Sequence, residues 1–300
     1  MNRYPLALFA SVIFATAATA APPSLSPAIQ LPPLTQPAGT ESHPGKVVWA
    51  DLVTPNLQQS EQFYAGLFGW SFQPVPGDRN FAIALANGRP VGGLVQRPMP
   101  SDHLHHPAWL TFLAVPDVGA SERAATANGG KVLSPTKNYP QRGRQAVLSD
   151  PDGAVFAVLT SSSGDPPDER ADPGEWIWSS LLAPRPDQEA AFYRALFGYE
   201  VVDLPRDDSA RHLILSNDEY ARAGIHALPA DSTHHAHWLN FVRVDDAAVA
   251  ASKAVELGGR VLVQPHIDRH GGAVAVIADP TGAPVGLMEW TNSDEPGEAP

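Results

Sequence analysis

The chain has 300 residues, of which 43% are hydrophobic and 17% charged, enough apolar material for roughly two globular domains. Its formal net charge is −12 with no basic cluster, which excludes nucleic acid as a partner, because that binding relies on Lys and Arg neutralising phosphates. It has no cysteine, so a disulfide framework, a thiol nucleophile, a thiolate zinc site and an iron–sulfur cluster are excluded.

Residues 1–20 read as a secretory signal. Arg3 supplies the positive charge, Leu6 to Ala18 is an apolar run too short for a membrane span, and Ala18-Thr19-Ala20 is a small-residue cleavage site. The alternatives are a retained anchor or a misplaced start codon. Export to the periplasm or medium is expected, with no membrane attachment after cleavage. Residues 21–45 are rich in Pro, Ser, Thr and Gly and are expected to form an extended tether without a core of its own. Two folded stretches are expected at 46–160 and 175–290, separated by a linker at 161–174 and followed by an acidic tail at 291–300.

The elements of the first stretch follow from pattern and punctuation. Val47 to Val53 has strand composition, and Pro55 stops it. Asn56 is placed to cap a helix, with Gln59 completing a capping box. Phe63 with Leu67 and Tyr64 with Phe68 cover one helical face, and Gly69 ends it. Short strands are predicted at Trp70 to Pro74, Phe81 to Ala86 and Val91 to Gln96. The order then restarts: a strand from Trp109 to Val115, a helix capped by Asp117 and ended by Gly129-Gly130, and strands at Lys131 to Leu133, Gln145 to Ser149 and Ala154 to Thr160.

The second stretch repeats the first at a constant shift of 129 residues. Trp49, Pro55 and Gly69 return as Trp178, Pro184 and Gly198. Phe63-Tyr64-Ala65-Gly66-Leu67-Phe68-Gly69-Trp70 returns as Phe192-Tyr193-Arg194-Ala195-Leu196-Phe197-Gly198-Tyr199. Trp109-Leu110 returns as Trp238-Leu239, Gly129-Gly130 as Gly258-Gly259, and the tight turn Asp150-Pro151-Asp152-Gly153 as Asp279-Pro280-Thr281-Gly282. Each half therefore holds two βαβββ modules.

This succession of strand, Pro-Asx, helix with Phe-Tyr-x-x-Leu-Phe-Gly, Gly-Gly and Asp-Pro-x-Gly resembles the vicinal oxygen chelate superfamily, which holds glyoxalase I, bleomycin-resistance proteins and extradiol dioxygenases. The closest likeness is to its tandem branch, often labelled glyoxalase-like or hydroxylase-like after a mycobacterial secreted antigen. The resemblance covers 46 to 290. It implies an α+β fold of two tandem domains, each with paired modules whose sheets curl around a cleft.

In metal-using members, the resemblance implies, four inward positions place His, Gln or Glu on a divalent ion. Here those positions fall at Trp49 and Trp178, at Thr111 and Asn240, at Ala157 and Gly286, and around Gly92-Gly93 and Gly224. None is a His or a carboxylate, so no metal and no other cofactor is expected. Glu289 would need a one-residue slip that strand alternation opposes.

With the first-strand position facing the cleft, period two adds its neighbours. The expected cleft residues are Trp49, Asp51, Trp109, Thr111, Trp178, Ser180, Trp238 and Asn240, an aromatic lining with a few polar groups. Asp51 is the best catalytic candidate, as a general base or a partner for a cationic ligand; structurally it would be a strand-edge acceptor. Histidines cluster in loops before the Trp109 and Trp238 strands (His103, His105, His106; His234, His235, His237), and His266 and His270 lie in another. These read as metal-binding imidazoles or as polar connections. Arg142, Arg144 and Arg269 read as anion contacts at the cleft mouth or as solvated charge. Three functional readings remain. The first is a metal-independent small-molecule binder. The second is a lyase or oxidoreductase acting on a small oxygenated substrate. The third is an interaction module with a degenerate cleft. The halves are expected to pair with each other or in a homodimer.

Overall fold

The computed structural model describes residues 29–99, 106–204, 211–229, 232, 235–268 and 271–290. The expected signal sequence and acidic tail lie outside the described residues, as do His103, His105, His234, His270 and Arg269.

The predicted module recurs four times. The first is β1 (Val47–Thr54), α1 (Leu57–Phe68), β2 (Ser71–Val75), β3 (Asp78–Ala86) and β4 (Arg89–Gln96). The second is β5 (Ala108–Ala114), α2 (Val118–Ala127), β6 (Lys131–Tyr139), β7 (Gly143–Ser149) and β8 (Val155–Ser161). The third is β9 (Trp176–Ala183), α3 (Pro186–Phe197), β10 (Glu200–Asp203), β11 (His212–Asn217) and β12 (Tyr220–Ala227). The fourth is β13 (His237–Val244), α4 (Ala247–Glu256), β14 (Arg260–Ile267), β15 (Ala273–Ala278) and β16 (Pro284–Glu289).

The helix boundaries follow from the side chains at their ends. Asn56 is extended and accepts from the Gln59 amide at 3.1 Å, while Gly69 ends α1 in the left-handed region with φ 72°. The reciprocal arm of the capping box is replaced, because Thr54 Oγ1 takes the Asn56 amide at 3.2 Å. Asp117 and Asp246 cap α2 and α4 in the same way, at 3.0 and 2.8 Å. The start of α3 has no side-chain cap; Pro186 presets its first turn, and Asp187 suits the helix dipole.

Each half forms one eight-stranded sheet, in the orders β2-β3-β4-β1-β5-β8-β7-β6 and β10-β11-β12-β9-β13-β16-β15-β14. The central strand pairs in parallel with the last strand of its own module and antiparallel with the first strand of the next. The two sheets share their cores. One buried cluster joins α2 and α3 with Leu113, Phe156 and Val158 of the first half and Leu181, Leu213 and Trp238 of the second. The other joins α1 and α4 with Leu52, Leu94 and Trp109 of the first half and Val242, Ile277 and Leu287 of the second. The sheets therefore stand back to back, with a helix pair on either flank, and their other faces point outward.

The repeated motifs hold this arrangement together reciprocally. Tyr193 of α3 accepts from Trp238 Nε1 at 2.9 Å and donates to Asp150 of the opposite half at 3.1 Å. Tyr64 of α1 accepts from Trp109 Nε1 at 3.0 Å and faces Asp279 of the opposite half. Burial holds both phenols far above their ordinary range, so both stay protonated donors. The second glycine of each Gly-Gly pair is a close approach both within its half and between halves. A Cβ on Gly130 would stand 2.5 Å from the Ser149 carbonyl oxygen and 2.9 Å from the Phe192 ring, and one on Gly259 would stand 2.6 Å from the Ala278 carbonyl oxygen and 2.9 Å from the Phe63 ring. At the centre, Thr111 Oγ1 donates to Asn240 Oδ1 at 3.0 Å, and Ser179 Oγ reaches the same oxygen at 2.7 Å.

The two copies of the Asp-Pro-x-Gly corner differ in charge. Around Asp279 the neighbours are Ser60 Oγ at 3.3 Å and the Thr281 hydroxyl at 2.7 Å. Around Asp150 the same places hold Glu189, which is fully buried, and Asp152, whose side chain pairs with Arg185. No donor reaches either Glu189 oxygen among the described residues. Burial first, then the charges of Asp150 and Asp152, raise the Glu189 carboxyl to about 9.

Tyr193→Phe should lower stability by about 1–3 kcal/mol, because it removes the donor to Asp150 and the acceptor for Trp238; urea unfolding with an unchanged slope would show it. Gly130→Ala should cost a similar ~1–3 kcal/mol by forcing apart the Ser149 backbone and the Phe192 ring, which both close on that position. Glu189 supports the fold fully below about pH 4.5, its ordinary value, and this contribution is lost as pH rises through about 9. The melting temperature of Glu189→Gln relative to the wild type should therefore climb steadily between pH 5 and pH 9. A difference that stays flat across that range would show that Glu189 ionises normally.

Candidate functional site

The outer faces follow from strand register. On β1, Trp49, Asp51 and Val53 point outward as expected. The neighbouring β5 is offset by one residue from the expectation: Trp49 stands opposite Phe112, and Asp51 opposite Leu110. Phe112 and Leu110 therefore share the cleft face, while Trp109 and Thr111 point between the sheets. In the second half, Trp178 stands opposite Phe241 and Ser180 opposite Leu239, so Trp238 and Asn240 also point between the sheets. The expected cleft residues thus divide into two groups. Trp49, Asp51, Trp178 and Ser180 line the outer faces. Trp109, Thr111, Trp238 and Asn240 build the junction between the halves. Phase was carried from one strand to the next through an assumed ligand position; antiparallel pairing across an irregular register sets it one residue away.

The first cleft is filled by the chain itself. The stretch expected as a free tether runs across it from Ile29: Leu31 is 5% exposed and packs with Trp49, Val75, Phe81, Ile83 and Phe112, joined by Ile29 and Leu34. Burying such a leucine contributes about 1.5–3 kcal/mol, enough to explain why a proline-rich segment lies down. The linker fixes it: Ser163 Oγ accepts from the Leu34 and Thr35 amides at 3.0 and 3.2 Å. Further along, Lys46 and Arg222 both pair with Asp168 of the linker, at 2.8 and 2.5 Å.

Asp51 is buried beside Trp49. Its Oδ1 accepts from Trp49 Nε1 at 2.7 Å. Burial raises its carboxyl above the usual range, against the Trp49 hydrogen bond and the Arg142 charge, which both favour ionisation. Arg142 is 1% exposed, with its guanidinium 3.8 Å above the Trp49 ring centroid. Burial lowers it to about 10, opposed by Asp51, so it remains charged near neutrality. Arg144 is exposed.

The second cleft face is open. Trp178, Leu182, Ile214, Phe241, Val276 and Met288 are half-buried there, where Trp49 and Phe112 of the first half are 4% and 2% exposed. Trp178 Nε1 donates to Ser180 Oγ at 3.0 Å, repeating the Trp49–Asp51 bond with a neutral acceptor. Gly224 lets its strand pack closely beside both: a Cβ there would be crowded, 3.2 Å from Ser180 Oγ, 3.3 Å from His226 Nε2 and 3.4 Å from Trp178 Nε1. Three polar atoms thus converge on one small volume at the edge of an apolar floor. His226 stacks on His212, with ring centroids 4.0 Å apart. In the first half the equivalent cross-strand pair is Val95 with Phe81. The histidine pair was missed in the sequence because the shift here is 131, not 129. The turn Asn87-Gly88 corresponds to Asp218-Glu219, and all four residues have positive φ.

The residues do not fit the superfamily's usual metal. With register corrected, the four inward positions are Trp49, Gly93, Phe112 and Ala157 in the first half and Trp178, Gly224, Phe241 and Gly286 in the second. No group of three His, Cys, Asp or Glu that could hold a metal occurs among the described residues. Glu289 is a structural acceptor, taking the Ala247 amide at 2.8 Å and the Ala273 amide at 3.1 Å. His237 and His266 turn their Nδ1 atoms to backbone oxygens of His235 and Gln264, and His106 is exposed.

Comparison with known proteins agrees with this architecture. The profile described as Glyoxalase/Bleomycin resistance protein/Dioxygenase superfamily matches residues 46–158, and that of a Glyoxalase-like domain matches residues 179–288. "Putative glyoxylase CFP32" of Mycobacterium tuberculosis (strain CDC 1551 / Oshkosh) is 30% identical over 82% of this chain and 95% of its own length. "Anthracycline biosynthesis protein DauV" of Streptomyces sp. (strain C5) is 28% identical over 83% of this chain and 95% of its own. Among solved structures, the Mn(II)-bound glyoxalase from Novosphingobium aromaticivorans aligns with a TM-score of 0.59 at 18% identity, covering 83% of each chain. The 2,3-dioxygenase LapB from Pseudomonas sp. KL28 aligns with 0.59 at 13% identity, over 87% of this chain and 96% of that one. At such identities these structures speak for the fold alone. With each half matching on its own and a full-length relative in register, the chain belongs to the glyoxalase/bleomycin resistance protein/dioxygenase superfamily, as a tandem of two glyoxalase-like domains.

Proposed function

We propose that this protein binds a planar, oxygen-bearing small molecule on the open face of its second half, without a protein-bound metal. The observation that carries this reading is the asymmetry of the two cleft faces: one is filled by the chain's own residues, the other holds half-buried Trp178, Phe241 and Met288 beside convergent polar atoms. A flat apolar body would stack on these side chains, and an oxygen would accept from the Ser180 hydroxyl, whose own oxygen is held by Trp178 Nε1. The anthracycline-biosynthesis name of a relative favours a fused aromatic ligand of this kind. A lyase or oxidoreductase acting through Asp51 is less favoured, because that carboxyl is buried and engaged by Trp49 Nε1.

Titration with alizarin, a dihydroxyanthraquinone, tests this reading by tryptophan quenching and calorimetry. Saturable binding should survive exhaustive chelation with EDTA. Trp178→Ala should weaken it at least about tenfold, or ~1.4 kcal/mol. No saturable binding, or binding abolished by EDTA, would count against the proposal. We further propose that the protein is exported. Intact mass after expression in a bacterial host should then place the mature N-terminus at Ala21, whereas a chain still starting at Met1 would contradict export.

A further inference from the structure

We propose that the first cleft is a second binding site, for a compact aliphatic carboxylate, and that residues Ile29–Thr35 occupy it as a displaceable strap. The geometry of Arg142 carries the inference. Its Nε donates to the carbonyl oxygen of Pro32 at 2.7 Å. Its Nη2 is buried and has no hydrogen-bond partner. These two N–H groups form one edge of the guanidinium, the edge that takes both oxygens of a carboxylate side by side. The strap fills half of that fork with a neutral carbonyl and leaves the other half empty. Arg142 also forms no ion pair among the described residues; the nearby carboxylate, Asp51, is engaged by Trp49. A buried guanidinium held by one carbonyl and an indole face is the setting in which an arriving carboxylate gains most. Burial shifts Asp51 toward its neutral form, which softens its repulsion of such a ligand.

The strap also shows the shape the cleft accepts. Leu31, a branched aliphatic side chain, packs among Trp49, Val75, Phe81 and Ile83, beside the carbonyl that meets Arg142. A ligand presenting the same branch next to a carboxylate would take both places at once.

The strap's attachment is light enough to exchange. It adds no strand to the sheet. It is held by the Ser163 hydroxyl, by the Thr35 hydroxyl donating to the Ser163 carbonyl oxygen, by Arg142 and by one long bond of 3.4 Å from Gln30 N to Pro76 O. Pro32 and Pro33 have no N–H to offer. The site lies in the half that the proposed function leaves unused, so either proposal can fail without the other.

The test uses the full-length protein with 4-methylpentanoate and, as its uncharged counterpart, 4-methylpentanamide. Calorimetry should show that Leu31→Gly/Ser163→Ala binds the acid at least tenfold more tightly than the wild type does. The amide should not bind, and adding Arg142→Gln should abolish binding of the acid. In the wild type, saturating acid should speed hydrogen exchange at the Leu34 and Thr35 amides while leaving alizarin binding intact. The proposal is overturned if acid and amide bind alike, if neither binds, or if strap exchange is as slow as that of the sheet and indifferent to the acid. Loss of a cooperative thermal transition in Leu31→Gly/Ser163→Ala would overturn it as well, since the strap would then be a permanent part of the core.

Discussion

Everything else in this structure depends on two reciprocal hydrogen-bond relays between its halves. In one, Trp238 donates to Tyr193, and Tyr193 donates to Asp150 across the junction. In the other, Trp109 donates to Tyr64, which faces Asp279 across the junction. These groups are buried among apolar side chains, where an unpaired hydroxyl, indole N–H or carboxylate costs far more than it would in water. Each half therefore completes the other, and each Phe-Tyr helix docks against the opposite Asp-Pro-x-Gly turn. The glycines at 130 and 259 belong to the same constraint, because they let Phe192 and Phe63 close against the opposite half.

Back-to-back docking leaves the two outer faces free to diverge. The inner residues of both halves must match each other; the outer ones answer only to what lies on them. Accordingly Phe81 and Val95 stand where His212 and His226 stand in the other copy, and Asp51 where Ser180 stands. The first face carries the apolar residues that receive Leu31. The second carries imidazoles, a hydroxyl and half-buried aromatic rings. The same divergence reaches the turns, where Glu189 and Asp152 replace Ser60 and Thr281 around a buried aspartate.

Much of the fold was legible in the sequence, because the signals that specify it are local. The Asn56 and Asp117 caps, the left-handed Gly69 and the Asp-Pro-x-Gly turns each fix a boundary through their own backbone chemistry. The 129-residue repeat then doubles two modules into four. Facing direction was legible only within a strand. Alternation puts Trp49 and Asp51 on one face of β1, but the faces of Trp109, Thr111, Trp238 and Asn240 depend on how β5 and β13 register against β1 and β9, which is settled between strands. The repeat itself shows why these four were misread as cleft residues: tryptophans at matched positions suit a lined cleft and a shared junction equally well. The docking of residues 29–35 was hidden for another reason. Three aliphatic side chains among prolines look like a tether until the surface they cover exists. The stacked histidines were hidden by a two-residue change in the repeat shift.

One cleft face is shut by the chain and its twin is open. Trp49 and Trp178 are equivalent residues in a single molecule, so hydroxyl-radical footprinting with mass spectrometry compares the two faces side by side. Trp178 should oxidise rapidly and Trp49 should be strongly protected. Equal oxidation of the two would contradict this, and so would a protected Trp178 beside an oxidised Trp49.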